Sequence, residues 1–301
     1  MKISAIIPCY NEEITIRQVI EDIKNYCPEC EIYVFDNNST DNSYNIAKET
    51  CAIVNKVSYQ GKGEVIRRAF ADIDSDIYIM VDADMQYDLS EINNFIDYFI
   101  ENNLDMLNIS RETVDDSVHR KGHSFGNTML TSFANLLFGK RFNDMLSGYR
   151  IFSKRFVKSF PANSKGFEIE TELTIYALQM RLPVGEVSAK YIKRPEGSHS
   201  KLNTFRDGFK ILWTIIYLLM TEKPLLFFNT ISAIFLGVGL FLGIGITIEY
   251  LETLRVDRFP TAILTICLII LSGLSFSIGL LMNAVSKVLS ENRRFKYNSI
   301  K

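Results

Sequence analysis

Two stretches toward the C-terminal end, residues 224–248 and 259–286, contain no Asp, Glu, Lys or Arg. At 25 and 28 residues they exceed the roughly 20 apolar residues that carry a helix across a bilayer. A soluble core helix of that length without one charge is unusual, so the pattern predicts two transmembrane helices. Residues 1–203, by contrast, carry charges throughout and read as a globular α/β domain. The expected organisation is that domain, an amphipathic juxtamembrane helix over 204–223, two spans within 224–286 joined near 249–258, and a basic tail over 287–301.

Orientation follows from the placement of positive charge. The tail carries Lys287, Arg293, Arg294, Lys296 and Lys301 against Glu291, whereas the loop from Glu249 to Arg258 has three acids and two bases. The rule predicts both chain ends on the cytoplasmic side. Lys2 to Pro8 runs directly into a strand-like stretch with no cleavage-site pattern behind it, so no secretory signal peptide is expected. The net charge of −2 and the lack of a basic stripe argue against a nucleic-acid partner. Five cysteines, an odd number, fit a reducing compartment. Cys27-Pro28-Glu29-Cys30 has no second pair to complete a zinc site and reads as a helix-to-strand loop.

The globular part alternates strand and helix patterns. Residues 3–7, 31–35, 54–59 and 76–81 are apolar or β-branched runs, and helices are expected over 13–26, 41–51 and 64–73. Further on, 105–109 and 184–192 read as strands and 124–138 and 167–180 as helices. Such alternation predicts a mostly parallel sheet with helices on both faces. Ligands of these folds sit beyond the carboxyl ends of the strands. Polar clusters fall at those ends: Tyr10 to Glu12, Asp36 to Asp41, and Asp82 to Gln86. Residues 204–221 place Phe205, Phe209, Leu212, Trp213, Ile216 and Leu219 on an amphipathic helix, which suits the headgroup region; a helix packed on the globular domain is the alternative.

Asp82-Ala83-Asp84 puts two carboxylates on one tight turn at a strand end, with Gln86 behind them. Oxygen donors of this kind hold Mg²⁺ or Mn²⁺ shared with substrate phosphates; a solvated helix-capping turn is the plainer reading. The Asp36–Asp41 turn is rich in N-cap residues, but beside Tyr10, Asn11 and Glu12 it also forms a candidate nucleoside pocket. Gly61-Lys62-Gly63 lacks the spacing of a phosphate loop, although Lys62 can counter a phosphate. Arg111, Arg120, Lys121 and His123 form a basic cluster suited to gripping phosphate. His119 and His123 share a helical spacing without an acidic partner motif and read as chance. Asp144–Arg150, Gly166–Glu170 and the basic loop from Arg194 to Leu202 are further polar motifs, each also readable as an ordinary turn or linker.

Taken in order, IIPCYNE at 6–12, DNNSTD at 36–41, GKG at 61–63, DADMQ at 82–86, SR at 110–111, DMLSGYR at 144–150 and EGSHSKL at 196–202 resemble family 2 glycosyltransferases. The closest likeness is to the polyprenyl-phosphate branch typified by dolichyl-phosphate mannose synthase, and two C-terminal spans also occur there. The resemblance implies a GT-A type, Rossmann-like fold and an inverting, metal-dependent transfer from a nucleotide sugar to a polyprenyl phosphate. It implies that Pro8, Tyr10, Asn11, Glu12, Asp36 and Asn37 hold the nucleoside. It assigns Asp82, Asp84 and Gln86 to metal and diphosphate, Arg111 with a basic residue near Arg120 to the acceptor phosphate, and Arg194 and Lys201 to the donor diphosphate. Asp144 is the candidate for orienting the acceptor. Where the family often has two acids, this chain has Asp36-Asn37, which leaves uracil or guanine open. Other readings are a transferase acting on a lipid or polysaccharide hydroxyl, and a membrane-anchored nucleotide-sugar binder without turnover. A nucleotidyltransferase would need a Gly-rich N-terminal loop, which residues 8–13 lack. The oligomeric state, a homo-oligomer included, is left open.

Overall fold

The computed structural model describes residues 1–113, 131–133, 135–136, 139, 142–195, 197 and 204–300. Its first compact unit comprises Met1–Ile215 with Arg294–Lys301, and its second Ile216–Arg293.

In the first unit the chain runs β1 (Ile3–Cys9), α1 (Ile16–Tyr26), β2 (Glu31–Asp36), α2 (Ser43–Lys48), β3 (Ile53–Lys56), α3 (Lys62–Asp72), β4 (Ile77–Met80), α4 (Ile92–Glu101) and β5 (Met106–Thr113). It continues through β6 (Arg150–Ser153), α5 (Lys154–Ser159), α6 (Ile169–Met180) and β7 (Val184–Tyr191). Seven strands form one sheet in the order β3-β2-β1-β4-β6-β5-β7. All neighbours are parallel except β6, which runs antiparallel to both β4 and β5.

Period-two patterning builds a core on each face of this sheet. In β1, Ile3, Ala5, Ile7 and Cys9 join the core formed with α1 and α4, while Ile6 points to the other. In β4, Ile77 and Ile79 go one way and Tyr78 and Met80 the other. Ile16, Val19, Ile20 and Ile23 of α1 lie on one helical face and are buried, each worth about 1.5–3 kcal/mol relative to exposure. The opposite core gathers α3, α5 and α6 around Phe70, Phe152, Phe156 and Phe160.

The predicted strands and most helices are present, with ends displaced by a few residues. Strand β6 and helices α4 and α5 were not anticipated: Arg150–Ser153 is only four residues long, too short for an alternation to register. Of the predicted helix over 124–138, residues 131–133 and 135–136 are described and are helical. Arg120, Lys121, His119, His123 and Lys201 lie outside the described residues.

The last residues of the chain belong to the first unit. Tyr297 donates its hydroxyl to Asp105 Oδ2 at 2.5 Å, and Arg155 lies 5.2 Å over the Tyr297 ring. Asp105, fully buried, also accepts from Ser153 Oγ at 2.6 Å and Arg155 Nε at 2.8 Å. A buried carboxyl group left without such donors would be costly.

Helix α7 (Thr204–Glu222) buries Ile211, Ile215 and Leu219 and exposes Phe209, Trp213 and Tyr217. The second unit contains α8 (Pro224–Thr253) and α9 (Phe259–Ser299) as far as Arg293; both helices are long and apolar enough to cross a membrane, with a mean hydropathy of 2.4 over their most apolar stretches. They touch through small residues. Ser232 and Ser272 exchange hydroxyl-to-carbonyl bonds at 3.0 Å, Gly239 faces Ile269, and Gly279 faces Phe228. Small residues at such seams let helix backbones approach closely.

Candidate functional site

The three polar turns meet. Register places Cys9 beside Asp36 and Ile6 beside Met80, so the turns after β1, β2 and β4 leave the same edge of the sheet. Side chains then stitch them together. Asn11 Oδ1 accepts from Thr40 N at 2.7 Å, Ser43 Oγ accepts from Glu12 N at 2.8 Å, and Thr15 Oγ1 donates to Ala83 O at 2.6 Å. Asn11, Asn38 and Met85 take left-handed backbone conformations, with φ of 53°, 61° and 57°. Asn tolerates that region; Met85 holds it as the price of the turn behind Asp84.

At the centre is Arg194. Its guanidinium donates to Asp84 Oδ2 at 2.6 Å, Gln86 Oε1 at 2.9 Å and Glu12 Oε1 at 3.3 Å. Burial, reinforced by the neighbouring Asp82 charge, raises the Asp84 carboxyl to about 6 even with Arg194 opposing it. Gln86 is fastened to the end of β7: its Oε1 also accepts from Tyr191 Oη at 2.8 Å, and its Nε2 donates to Ile192 O at 3.2 Å. Gln86, expected among the metal donors, thus spends its amide on the segment carrying Arg194.

Asp82 lies beside a second buried cation. Lys62 Nζ sits between Asp82 Oδ1 at 2.5 Å and Glu170 Oε1 at 2.6 Å. Burial opposes its charge, but the two carboxylates outweigh it and hold the lysine above its ordinary pKa. Glu170 is fully buried, and burial pushes its carboxyl up against the pull of Lys62. Glu170 entered the sequence reading only within a motif, and its helix-start position gave no sign of its partner. The glycines around Lys62 serve packing: a Cβ on Gly61 or Gly63 would lie 2.1 Å from the carbonyl oxygen of Lys165 or Ser164. Gly148 is equally constrained, because a Cβ there would sit 2.0 Å from Asp82 Oδ2.

On the nucleoside side, Asp36 is 2 % exposed and its Oδ1 has no hydrogen-bond partner among the described residues. Pro8 and Tyr10 are half-buried beside it. Asn37 ties the neighbouring loop: its Nδ2 donates to Tyr59 O at 2.7 Å and its Oδ1 accepts from Gly61 N at 2.6 Å.

Farther along the sheet, Arg111 and Asp144 form a two-pronged pair, Nε to Oδ2 at 2.6 Å and Nη2 to Oδ1 at 2.7 Å. Arg111 also lies 5.6 Å over the Tyr191 ring. The loop bearing Asp144 is gripped by Arg150, which is fully buried and donates to Met145 O at 2.5 Å, Ser147 O at 3.0 Å and Thr174 Oγ1 at 2.9 Å. Burial lowers the Arg150 pKa from its ordinary value.

A parallel sheet whose strand-end turns gather acids around a cationic centre defines the ligand-binding edge of a doubly wound α/β protein. More particularly, residues 4–160 match the model of glycosyl transferase family 2, and the chain belongs to that family. An uncharacterised protein of Shigella flexneri is 49% identical over 157 residues, covering 52% of this chain and 96% of that protein. The UDP-N-acetylglucosamine–dolichyl-phosphate N-acetylglucosaminyltransferase of Methanococcus voltae is 30% identical over 248 residues, covering 71% and 95%. Among solved structures, glucosyl-3-phosphoglycerate synthase from Mycobacterium tuberculosis, in complex with Mn²⁺, UDP and glucosyl-3-phosphoglycerate, is alike with a TM-score of 0.58 at 22% identity. That likeness covers 72% of this chain and 78% of that one, and it is one of fold: the GT-A type expected from the motifs.

Proposed function

We propose that this protein moves a sugar, with inversion, from a UDP- or GDP-linked donor to a polyprenyl phosphate at the cytoplasmic face of a membrane. One observation carries the reading: Glu12 and Asp84, from two different strand-end turns, share a single guanidinium at 3.3 and 2.6 Å. Carboxylates gathered this closely make a seat for positive charge, which a sugar diphosphate needs when it leaves.

Asp36 Oδ1, buried and unpartnered among the described residues, suits a base N–H or ribose hydroxyl, with Pro8, Tyr10 and Asn11 completing the pocket. Asp82 and Asp84 fit a hard divalent ion. Among the described residues no group of three or more His, Cys, Asp or Glu encloses one, so most of its shell would come from diphosphate oxygens and water, as Mg²⁺ and Mn²⁺ accept. Such an ion, when bound, neutralises charge developing on the diphosphate.

The acceptor phosphate is already anionic at neutral pH and needs no strong base. Arg111 receives it, and Asp144 keeps that guanidinium in one plane by its two bonds, so the gain is one of positioning and charge. Arg120 and Lys201 retain their expected roles toward acceptor phosphate and donor diphosphate. The dolichyl-phosphate acceptor for which the M. voltae relative is named, the two apolar helices and the exposed aromatic face of α7 support a lipid acceptor. The basic tail supports the cytoplasmic orientation.

The test is to incubate the detergent-purified protein and a short-chain polyprenyl phosphate with UDP- and GDP-sugars, with and without Mn²⁺ or Mg²⁺. Cation-dependent lipid-phosphate-linked product from one donor is expected. Transfer only to a lipid hydroxyl would overturn the phosphate acceptor, and binding of a donor without any transfer would leave a nucleotide-sugar binder.

A further inference from the structure

We propose that Glu186 is a positioning residue for the acceptor end of the site: it anchors Asp144 through that residue's backbone and so sets where the Arg111 guanidinium stands. The inference rests on the reading of Arg111 as the group that receives the acceptor phosphate, and it adds a residue that touches neither substrate.

Three polar residues lie abreast in the sheet. Register pairs Glu186 of β7 with Asn108 of β5, and Asn108 with Arg150 of β6, so their side chains leave the same face. All three turn to the loop that precedes β6. The Glu186 carboxylate accepts from Asn143 N at 2.9 and 3.0 Å, shared between its two oxygens, and from Asn143 Nδ2 at 2.7 Å. It also accepts from Asp144 N at 3.3 Å and from Asn108 Nδ2 at 2.9 Å. Asn108 Nδ2 donates in addition to Asp144 O at 2.8 Å, and Arg150 takes the carbonyls of Met145 and Ser147. An anion thus collects the loop's N–H groups, and a cation its carbonyls.

The consequence falls on Asp144. Its N–H is tied to Glu186 and its carbonyl to Asn108, so both sides of its backbone are anchored to the sheet. Its carboxylate is thereby held against Arg111: Oδ2 accepts from Arg111 N at 3.3 Å and Nε at 2.6 Å, and Oδ1 from Nη2 at 2.7 Å. Glu186 sits half-buried on β7, the edge strand of the sheet, where a glutamate with no task could turn to water. Its oxygens instead receive N–H groups of one loop and of Asn108. Hydrogen bonds to an ionised acceptor are about twice as strong as neutral ones, which is why an acid serves here. A glutamine would offer one oxygen only and would point its own N–H at an N–H of the loop. Arg111 has no such tie of its own to β7, so its placement depends on a relay: Glu186 to the Asp144 backbone, and the Asp144 carboxylate to the guanidinium. A displacement of about 1 Å at a group that positions substrate can cost up to about 10²-fold.

The experiment measures the Kd of farnesyl phosphate for the full-length protein in detergent by calorimetry, with farnesol as the lipid lacking a phosphate. The Kd values of UDP and GDP with Mn²⁺, and circular dichroism, report on the rest of the fold. Arg111→Gln is expected to weaken farnesyl phosphate about 30-fold and Glu186→Gln about tenfold, with nucleotide and farnesol affinities unchanged. Glu186→Asp keeps the charge on a shorter arm and should weaken it only about threefold, and Asn143→Ala, which removes one of the bonds, about twofold. These two milder variants carry the test if Glu186→Gln does not fold. Because the glutamate acts through Arg111, the double variant should be no more than about threefold weaker than Arg111→Gln alone. If Arg111→Gln weakens the phosphate lipid but Glu186→Gln does not, or the two losses multiply, the positioning role is overturned and Arg111 keeps the acceptor. An equal loss of nucleotide affinity in Glu186→Gln would mark a general loss of structure and overturn it too. If farnesyl phosphate binds wild type no better than farnesol, or Arg111→Gln leaves its Kd unchanged, the acceptor reading itself fails and Glu186 has nothing to position.

Discussion

Each of the two compact units is held together internally, and by opposite means. In the globular unit, order at the functional edge comes from polar groups with named partners: Lys62 between two carboxylates, Arg194 across three acceptors, Arg150 clasping carbonyls. In the α8–α9 unit, the helices meet through what is missing, with Gly239 and Gly279 leaving room and two serines closing the seam. A buried polar group is costly when its partner is lost, whereas a seam of small residues is shallow and tolerant. Substitutions should therefore hurt far more in the first unit than in the second.

The largest effect is expected at Asp84. Asp84→Ala should lower kcat about 10³-fold or more while circular dichroism stays that of the wild type; turnover within tenfold of wild type would remove the acidic centre from the chemistry. Gly148→Ala comes next, since its methyl group must displace the Asp82 carboxylate. A misplaced group of this kind costs about 10²-fold in rate and about 1–3 kcal/mol of stability, read from product formation and chemical denaturation. For the Arg111–Asp144 pair, Asp144→Ala should destabilise by about 2–3 kcal/mol, toward the low side for a buried pair because Arg111 keeps some exposure. Replacing both residues by Met and Leu should cost less than the single change, and a double-mutant cycle checks this. The smallest effect is expected at the seam: Ser272→Ala should cost about 0.6 kcal/mol in a detergent-based unfolding titration. A seam serine as costly as Asp144 would erase the contrast between the units.

Much of this was legible in the sequence, for physical reasons that differ from place to place. The strands of the parallel sheet announced themselves because both faces are covered, giving continuous apolar runs. The acidic turns were legible because strand ends must be polar where ligands bind. Partnerships were not. Lys62 and Glu170 are 108 residues apart, as are Gln86 and Arg194, and Glu12 and Arg194 are separated by 182; no local pattern links such positions. For that reason the sequence offered Lys62 only a phosphate as counter-charge and gave no sign of its ion pairs with Asp82 and Glu170. The GKG motif was weighed only as a phosphate loop, yet the small size of its glycines is demanded by the carbonyls of Ser164 and Lys165. Strand β6 escaped notice because its antiparallel placement between β4 and β5 is decided by neighbours rather than by its own four residues.

The bond from Tyr297 to Asp105 sets an order of events during synthesis. Asp105 leaves the ribosome 192 residues before the tyrosine that completes its set of donors, and α8 and the apolar part of α9, which itself carries Tyr297, are made in between. The globular half can collapse early around its two cores, but Asp105 gains its full set of donors only after those apolar segments have been made. The last donor to Asp105 is thereby supplied by a residue made after both long apolar segments, so this bond ties the globular half to the completed chain.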